Sequence, residues 1–373
     1  MQTGRLDALQ ILRGIAAFMV VCDHSLIVVA AYDPFMATFQ DFGGTIGRMG
    51  VNIFFVISGF IMVHSTRSTQ YLSPFKRQRD FAWKRVTRLA PLYWIATFVE
   101  IGLSAAQGVT FNLPQIVTSL SFLPDFSDTG DWRMPPIVGV GWTLNCEALF
   151  YCIFGLTLLL PRRIGLLACM LAIVALTAWG ALGLKYVHGE SFERIAVFYT
   201  FKNNLFFAIG MAVALGRRFV PSLSGASALG VAIGMMAAAL GIFAFDHLAD
   251  GSVVWQSISV VTCAMAVLLA VSGRHMKQSL GHRLLVHVGD ASFSTYLFHA
   301  MVLGWLAAAA APLLSRGMIL PFLLVAPVLC LAAGSLIHLA VERPITRYLR
   351  QCRRHASASS RPTDTVCATA PAL

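Results

Sequence analysis

Charge is scarce in this chain. Only 12% of its 373 residues are Asp, Glu, Lys or Arg, against about 25% in a typical soluble domain, and mean hydropathy is +0.72. That shortage excludes a water-soluble globular domain and predicts an integral membrane protein. Acids are the scarcer sign, 17 against 28 Lys and Arg, for a net charge of +11. In a membrane chain basic residues first report topology, so no nucleic-acid partner is expected. The eight cysteines include no CxxC pair. Cys22, Cys146, Cys152, Cys169, Cys263 and Cys330 lie in apolar runs and read as small buried hydrophobes, so neither a metal site nor a disulfide scaffold is expected. A cleavable signal pattern is also missing. The first apolar run is long enough to span and no small-residue cleavage site follows it, so it is expected to remain as a transmembrane helix.

What the chain has in quantity is apolar length. Runs long enough to cross a bilayer occupy residues 11–31, 46–65, 86–106, 137–160, 164–184, 195–216, 225–245, 253–272, 291–314 and 318–341. The reading is an all-α polytopic membrane protein of about ten transmembrane helices. An even count puts both termini on one side. With that side cytoplasmic, the inside segments collect Arg67, Lys76, Arg77, Arg79, Lys84, Arg85 and Arg88, the pair Arg217 and Arg218, and Arg343, Arg347, Arg350 and Arg353, as the positive-inside bias requires. The longest outside loop, residues 107–136, carries Phe111, Phe122, Phe126 and Trp132 and predicts a short interfacial helix. From His355 onward the chain is rich in Ser, Ala, Pro and Thr, with too little apolar content to pack. The expected division is a membrane-embedded domain over 1–354 and a disordered cytoplasmic tail over 355–373.

Within the first run stand Arg13 and His24. Eleven positions at about 100° each bring them to within about 20° of one face, roughly 16 Å apart along the axis. Ionisable groups inside a bilayer cost about 2.5–3.5 kcal/mol each and usually face a protein interior or a wet cavity. The default reading is therefore a functional site within the membrane. Glu147 is a further intramembrane ionisable group, and Thr143, Glu147 and Tyr151 share a helix face through i, i+4 spacing, with Trp142 beside them. Arg85 and Arg88 are three apart at the start of the third run, and Ser292, Tyr296 and His299 share a face of the ninth. Lys202, Asn203 and Asn204 form a polar patch inside the sixth run, with no role assigned. Bland alternatives stay open: a packing histidine, a Glu147 that pairs with Arg13 or Lys202 to hold the bundle, Arg85 and Arg88 as cytoplasmic anchors, and Gly50, Ser58 and Gly59 as close-packing positions.

Six separated blocks carry a resemblance. They are LDALQILRGIAAFMVVCDHS, GVNIFFVISGFIM, KRVTRLAPLYW, GWTLNCEALFY, SFSTYLFH and VERPITR, in that order across residues 5 to about 347. Together they resemble the acyltransferase 3 family of bacterial polytopic O-acyltransferases, and among these the exopolysaccharide O-acetyltransferase subgroup. The resemblance implies a bacterial inner-membrane enzyme that moves an acetyl group from cytoplasmic acetyl-CoA, a donor substrate rather than a resident cofactor, to a saccharide hydroxyl. The acceptor would be a surface polysaccharide or its lipid-linked precursor.

The chemistry suits the residues. Acyl transfer to an alcohol needs a base, and a neutral imidazole works near ambient pH, which makes His24 the candidate catalytic base. Glu147 is its expected partner, fixing the tautomer or stabilising an imidazolium. Arg13, Arg85 and Arg88 are candidates for the donor phosphates. Trp142, Tyr151, His299 and Asn52 are candidates for the acceptor side. Asn52 stands where many relatives have aspartate, so a role there that needs charge is not carried over. A ternary complex and a covalent acyl-histidine both remain open, as does homo-oligomerisation. The competing class is a glycolipid transporter or flippase, although the paired broken helices and repeats typical of transporters are not evident. A non-catalytic assembly partner is a third alternative.

Overall fold

The computed structural model describes residues 4–125, 135–182, 196–245, 253–273, 276 and 278–359. Among them the chain is helical nearly throughout, and the sole strand-like feature is an isolated bridge between Leu223 and Gly273. In chain order the helices are α1 (Gly4–Ala30), the single turn α2 (Pro34–Ala37), α3 (Gln40–Ser65), α4 (Pro74–Ala106), α5 (Leu113–Leu120), α6 (Trp142–Thr157) and α7 (Arg162–Ala181). They continue with α8 (Leu205–Gly216), α9 (Gly225–Phe245), α10 (Val253–Ser272), α11 (Leu280–Asp290), α12 (Ser292–Leu314) and α13 (Ile319–Ile337). A π-helical turn (His338–Glu342) then leads into α14 (Arg343–Ser359).

Nine helical stretches among the described residues are long and apolar enough to cross a bilayer. They correspond to the expected runs with one exception. The fourth run folds as α6, of only 16 residues, or about 24 Å. Its partners show that it nevertheless returns the chain to its starting side. Arg77, at the beginning of α4, donates through Nε to the Leu158 carbonyl just past the end of α6 at 3.0 Å. One level deeper, Phe81 meets Phe154 and Tyr151, and a Cβ at Gly141 would lie 3.0 Å from the Tyr93 ring. The two helices are thus antiparallel along the length of α6, and the basic ends of α4 and α7 share a face.

In lipid, helices associate through close packing and interhelical hydrogen bonds rather than by exclusion from water. Gly50 lets α3 approach α1, because a Cβ there would sit 2.6 Å from the Ala16 carbonyl oxygen. Gly59 of α3 and Gly210 of α8 each face the other helix's backbone, Gly59 against the Phe207 carbonyl and Gly210 against the Val56 carbonyl. These two helices run parallel, from Asn52 beside Asn203 to Arg67 beside Ala214. Phe55 and Phe150 both stack on Phe207, with ring centroids at 4.3 and 4.4 Å, joining α3, α6 and α8. Large apolar side chains such as Phe98, Leu167, Leu171, Leu320 and Leu324 face outward, where a bilayer covers them.

The expected interfacial helix is α5. Asn112 caps it and Gln115 returns the bond in a capping box. It is tied to α4 by Tyr93 to Ser119 at 3.1 Å and by Trp94 Nε1 donating to the Leu120 carbonyl at 2.9 Å. Phe126 and Trp132 lie outside the described residues. The short α11 is invisible to a search for spanning length. Ser279 caps it, and its Gly289 lies against the Gln10 backbone of α1. Lys202 stands exposed on a 3-10 turn (Lys202–Asn204) inside the spanning stretch Ala196–Phe219, just before α8. The closing helix runs on to Ser359, and residues 360–373 of the expected tail lie outside the described residues.

Candidate active site

Two connected spaces open from the basic face. The outer is a wide vestibule between the starts of α1 and α4 and the face of α14. The inner is a narrow chamber between α1, α3, α4, α6 and α12. Arg13, Arg85 and Arg88 line both and form the neck between them. The three residues read from sequence as phosphate ligands therefore converge, although two lie on α4 and one on α1.

Each neck arginine is held differently. Arg13 Nη1 donates to Gln10 Oε1, one turn back on α1, at 2.8 Å. Arg85 is buried, its guanidinium 5.6 Å from the Phe81 ring centroid and 5.7 Å from that of Tyr151. Its Nε and Nη1 have no hydrogen-bond partner among the described residues. A buried guanidinium held by aromatic faces thus keeps N–H groups with hydrogen-bonding capacity to spare.

The chamber wall is mostly apolar, with Val51, Phe54, Phe55 and Ile57 from α3. Polar groups gather on α6 and α12. Glu147 Oε1 accepts from Ser58 Oγ at 2.7 Å and from the Tyr151 hydroxyl. The Tyr296 hydroxyl and Thr143 Oγ1 lie 2.7 Å apart, and both reach the Val140 carbonyl, at 3.0 and 3.1 Å. Ser58 is thus more than a packing position. The i, i+4 spacing of Glu147 and Tyr151 was informative, whereas nothing local to α3 announces that Ser58 faces them across the chamber.

His24 lies beyond this chamber. Its ring meets that of His299 edge to face, with centroids 4.8 Å apart, and His299 in turn lies 5.9 Å from Tyr296. His24 Nδ1 is 2.9 Å from the Val20 carbonyl, and His299 Nδ1 is 2.7 Å from the Tyr296 carbonyl. A carbonyl can only accept, so each Nδ1 carries a proton, and in the neutral imidazole the lone pair is on Nε2. His299 is fully buried, and its Nε2 has no partner among the described residues. His24 is about one-third exposed, with Asp23 Oδ2 at 3.9 Å from Nδ1, too long for a hydrogen bond.

Several expected pairings change. Glu147 does not reach His24; its hydrogen bonds go to Ser58 and Tyr151, and the aromatic partner of His24 is His299. Asn52 does not line the chamber. It is buried between α3, α8 and α10, accepting from Asn203 Nδ2 at 2.8 Å and donating to Ser259 Oγ at 3.4 Å. Trp142 begins α6 and packs edge-on against Phe201 at 6.1 Å. One group was not singled out beforehand: Glu342, on the π-helical turn, accepts from Ser294 Oγ at 2.6 Å and lies 2.8 Å from His338 Nδ1. The VERPITR block was its only signal.

The helices define an all-α, multi-pass membrane protein with a partly polar internal space reached from its basic face. Comparison with known proteins gives the chemistry. Residues 6–338 match a family described as "Acyltransferase domain" (Acyl_transf_3), and the chain belongs to this acyltransferase 3 family. It is 33% identical over 337 residues to the exopolysaccharide production protein ExoZ of Rhizobium meliloti (strain 1021), covering 85% of this chain and 95% of that one. It is 25% identical over 394 residues to the acyltransferase MdmB of Streptomyces mycarofaciens, covering 96% of each. A 167-residue stretch is 25% identical to the regulator of hypoxia-inducible factor 1 of Caenorhabditis elegans, covering 40% of this chain and 33% of that one. No solved structure matches. The protein is a membrane acyltransferase, and the transporter reading falls.

Proposed function

We propose that the protein transfers an acetyl group from acetyl-CoA to a saccharide hydroxyl, at the inner membrane of a bacterium, with His24 as general base. The observation that carries this reading is the alignment of three arginines at a neck, an apolar chamber behind them, and a histidine with a free Nε2 further along the same helix. The donor phosphates rest at Arg13, Arg85 and Arg88 and the thioester arm enters the chamber. The acceptor oxygen attacks the thioester carbonyl while its proton passes to His24 Nε2. Collapse of the tetrahedral intermediate expels the CoA thiolate, and the imidazolium returns the proton to sulfur. His299, packed against His24, is a positioning residue, while Glu147 shapes the chamber through Ser58 and Tyr151. The name of the 33% relative, which links that protein to exopolysaccharide production, supports a surface polysaccharide or its lipid-linked precursor as acceptor.

The test uses purified protein in lipid with labelled acetyl-CoA and lipid-linked oligosaccharide. Native protein moves label to the acceptor, and His24→Ala lowers kcat by about 10²–10⁴-fold, the range for loss of a general base. Folded native protein that moves no label to any saccharide would overturn the reading. A fully active His24→Ala protein would overturn the mechanism alone. Label retained on protein before acceptor is added would replace the ternary complex with an acyl-enzyme.

A further inference from the structure

The vestibule has a second tier of cations that the donor reading above does not use. Beyond the neck, Arg343, Arg347 and Arg350 of α14 line the vestibule but not the chamber. Their spacing is i, i+4, i+7, so they form one stripe along one helix face.

The fold aims and fixes the stripe. The π-helical turn His338–Glu342 inserts extra backbone between α13 and α14, which resets the face that α14 presents. Glu342 locks the turn by bonding to Ser294 and His338, and the far end is pinned where Arg353 pairs with Asp80 of α4. Asp80 is also neutralised by Lys84 at 2.7 Å. Two of the three carboxylates lining the vestibule, Asp80 and Glu342, thus already have partners, and the stripe remains electropositive.

Two tiers of guanidinium separated along one path suit a ligand with phosphates at two positions along its length. Acetyl-CoA has that form, with a pyrophosphate beside the pantetheine arm and a lone 3′-phosphate on the ribose. We propose that Arg347 and Arg350, with Arg343, form a subsite for the 3′-phosphate, and that this stripe makes the enzyme discriminate CoA from nucleotide-free or dephosphorylated thioesters. The inference rests on the acetyl-CoA reading and adds a second, separable contact to it.

The experiment compares acetyl-CoA, acetyl-dephospho-CoA and S-acetyl-pantetheine phosphate as donors for full-length protein in lipid. Native protein should show a KM about 10- to 100-fold higher for acetyl-dephospho-CoA, the range expected for loss of charge-assisted bonds. Arg347→Gln with Arg350→Gln should raise the acetyl-CoA KM by a similar factor and abolish the difference between the two nucleotide donors. Binding of adenosine 3′,5′-bisphosphate, read directly by calorimetry, should weaken in parallel, and Arg347→Lys with Arg350→Lys should restore part of it. Equal use of both donors by native protein, or discrimination kept by the glutamine variant, overturns the subsite. An effect of the substitutions that appears only in bilayers containing phosphatidylglycerol assigns the stripe to lipid headgroups and overturns it too. Native protein inert with every CoA thioester instead overturns the donor reading itself.

Discussion

At the scale of single residues, a neighbouring backbone carbonyl fixes the tautomer of each histidine in the pair. Replacing His299 removes packing from beside the base without touching the neck. His299→Ala should therefore lower kcat by about 10- to 100-fold, a smaller loss than for the base itself, while the donor KM stays within twofold; a raised KM with unchanged kcat would show that His299 binds substrate instead. Asn52 calls for the opposite expectation. Asn52→Leu strands the Asn203 amide inside the bundle, costing about 1–3 kcal/mol. Thermal unfolding in detergent should register that loss, with the donor KM unmoved. Sequence made the rare ionisable residues of apolar runs conspicuous, so Arg13, His24 and Glu147 all stood out as candidates. Which of them touch was not. Glu147 and His24 are both intramembrane, but contact depends on the rotation of α6 against α1, and no spacing within either helix encodes it.

At the scale of helices, apolar length revealed nearly all the spanning segments, because a bilayer imposes the same minimum on every one. Where length was not the deciding property the reading weakened. The 16-residue α6 is aligned along α4, α11 is placed by contact with α1, and the π-helical turn is held by bonds from Ser294 and His338. The α3–α8 contact makes the strongest prediction at this level. A side chain at Gly59 or Gly210 enters the opposite helix's backbone, which cannot retreat cheaply. Gly59→Leu should abolish accumulation of folded protein, measured by monodisperse recovery in detergent. Gly50→Ala, which places a methyl 2.6 Å from the Ala16 carbonyl oxygen, should cost about 1–3 kcal/mol and remain foldable. If Gly59→Leu were recovered in normal yield, the α3–α8 contact would be wrong.

At the scale of the molecule, the basic end extends beyond the membrane. The helix Ile319–Arg353 has 35 residues, or about 52 Å, against about 30 Å of hydrocarbon. The start of α4 overhangs the same face, where Asp80 meets Arg353. The vestibule therefore stands in water and its arginines are open to salt. Raising ionic strength from about 0.05 to 0.5 M shortens the Debye length from about 14 to 4 Å. The donor KM should rise several-fold with kcat little changed, and a salt-independent KM would place the donor elsewhere. The excess of basic residues already pointed to a cytoplasmic face; that some of them surround a cavity needed the packing of α14 across α4.

The hydrogen bond from His24 to Val20 joins two residues one turn apart in α1. A serine protease enlists a distant carboxylate to orient its imidazole, so several segments must assemble before the base exists. Here the helix that carries His24, the proposed base, orients that imidazole through its own backbone. On the proposed mechanism, the loops and helix ends on the far side can therefore be rebuilt for a different acceptor while the same proton acceptor stays in place.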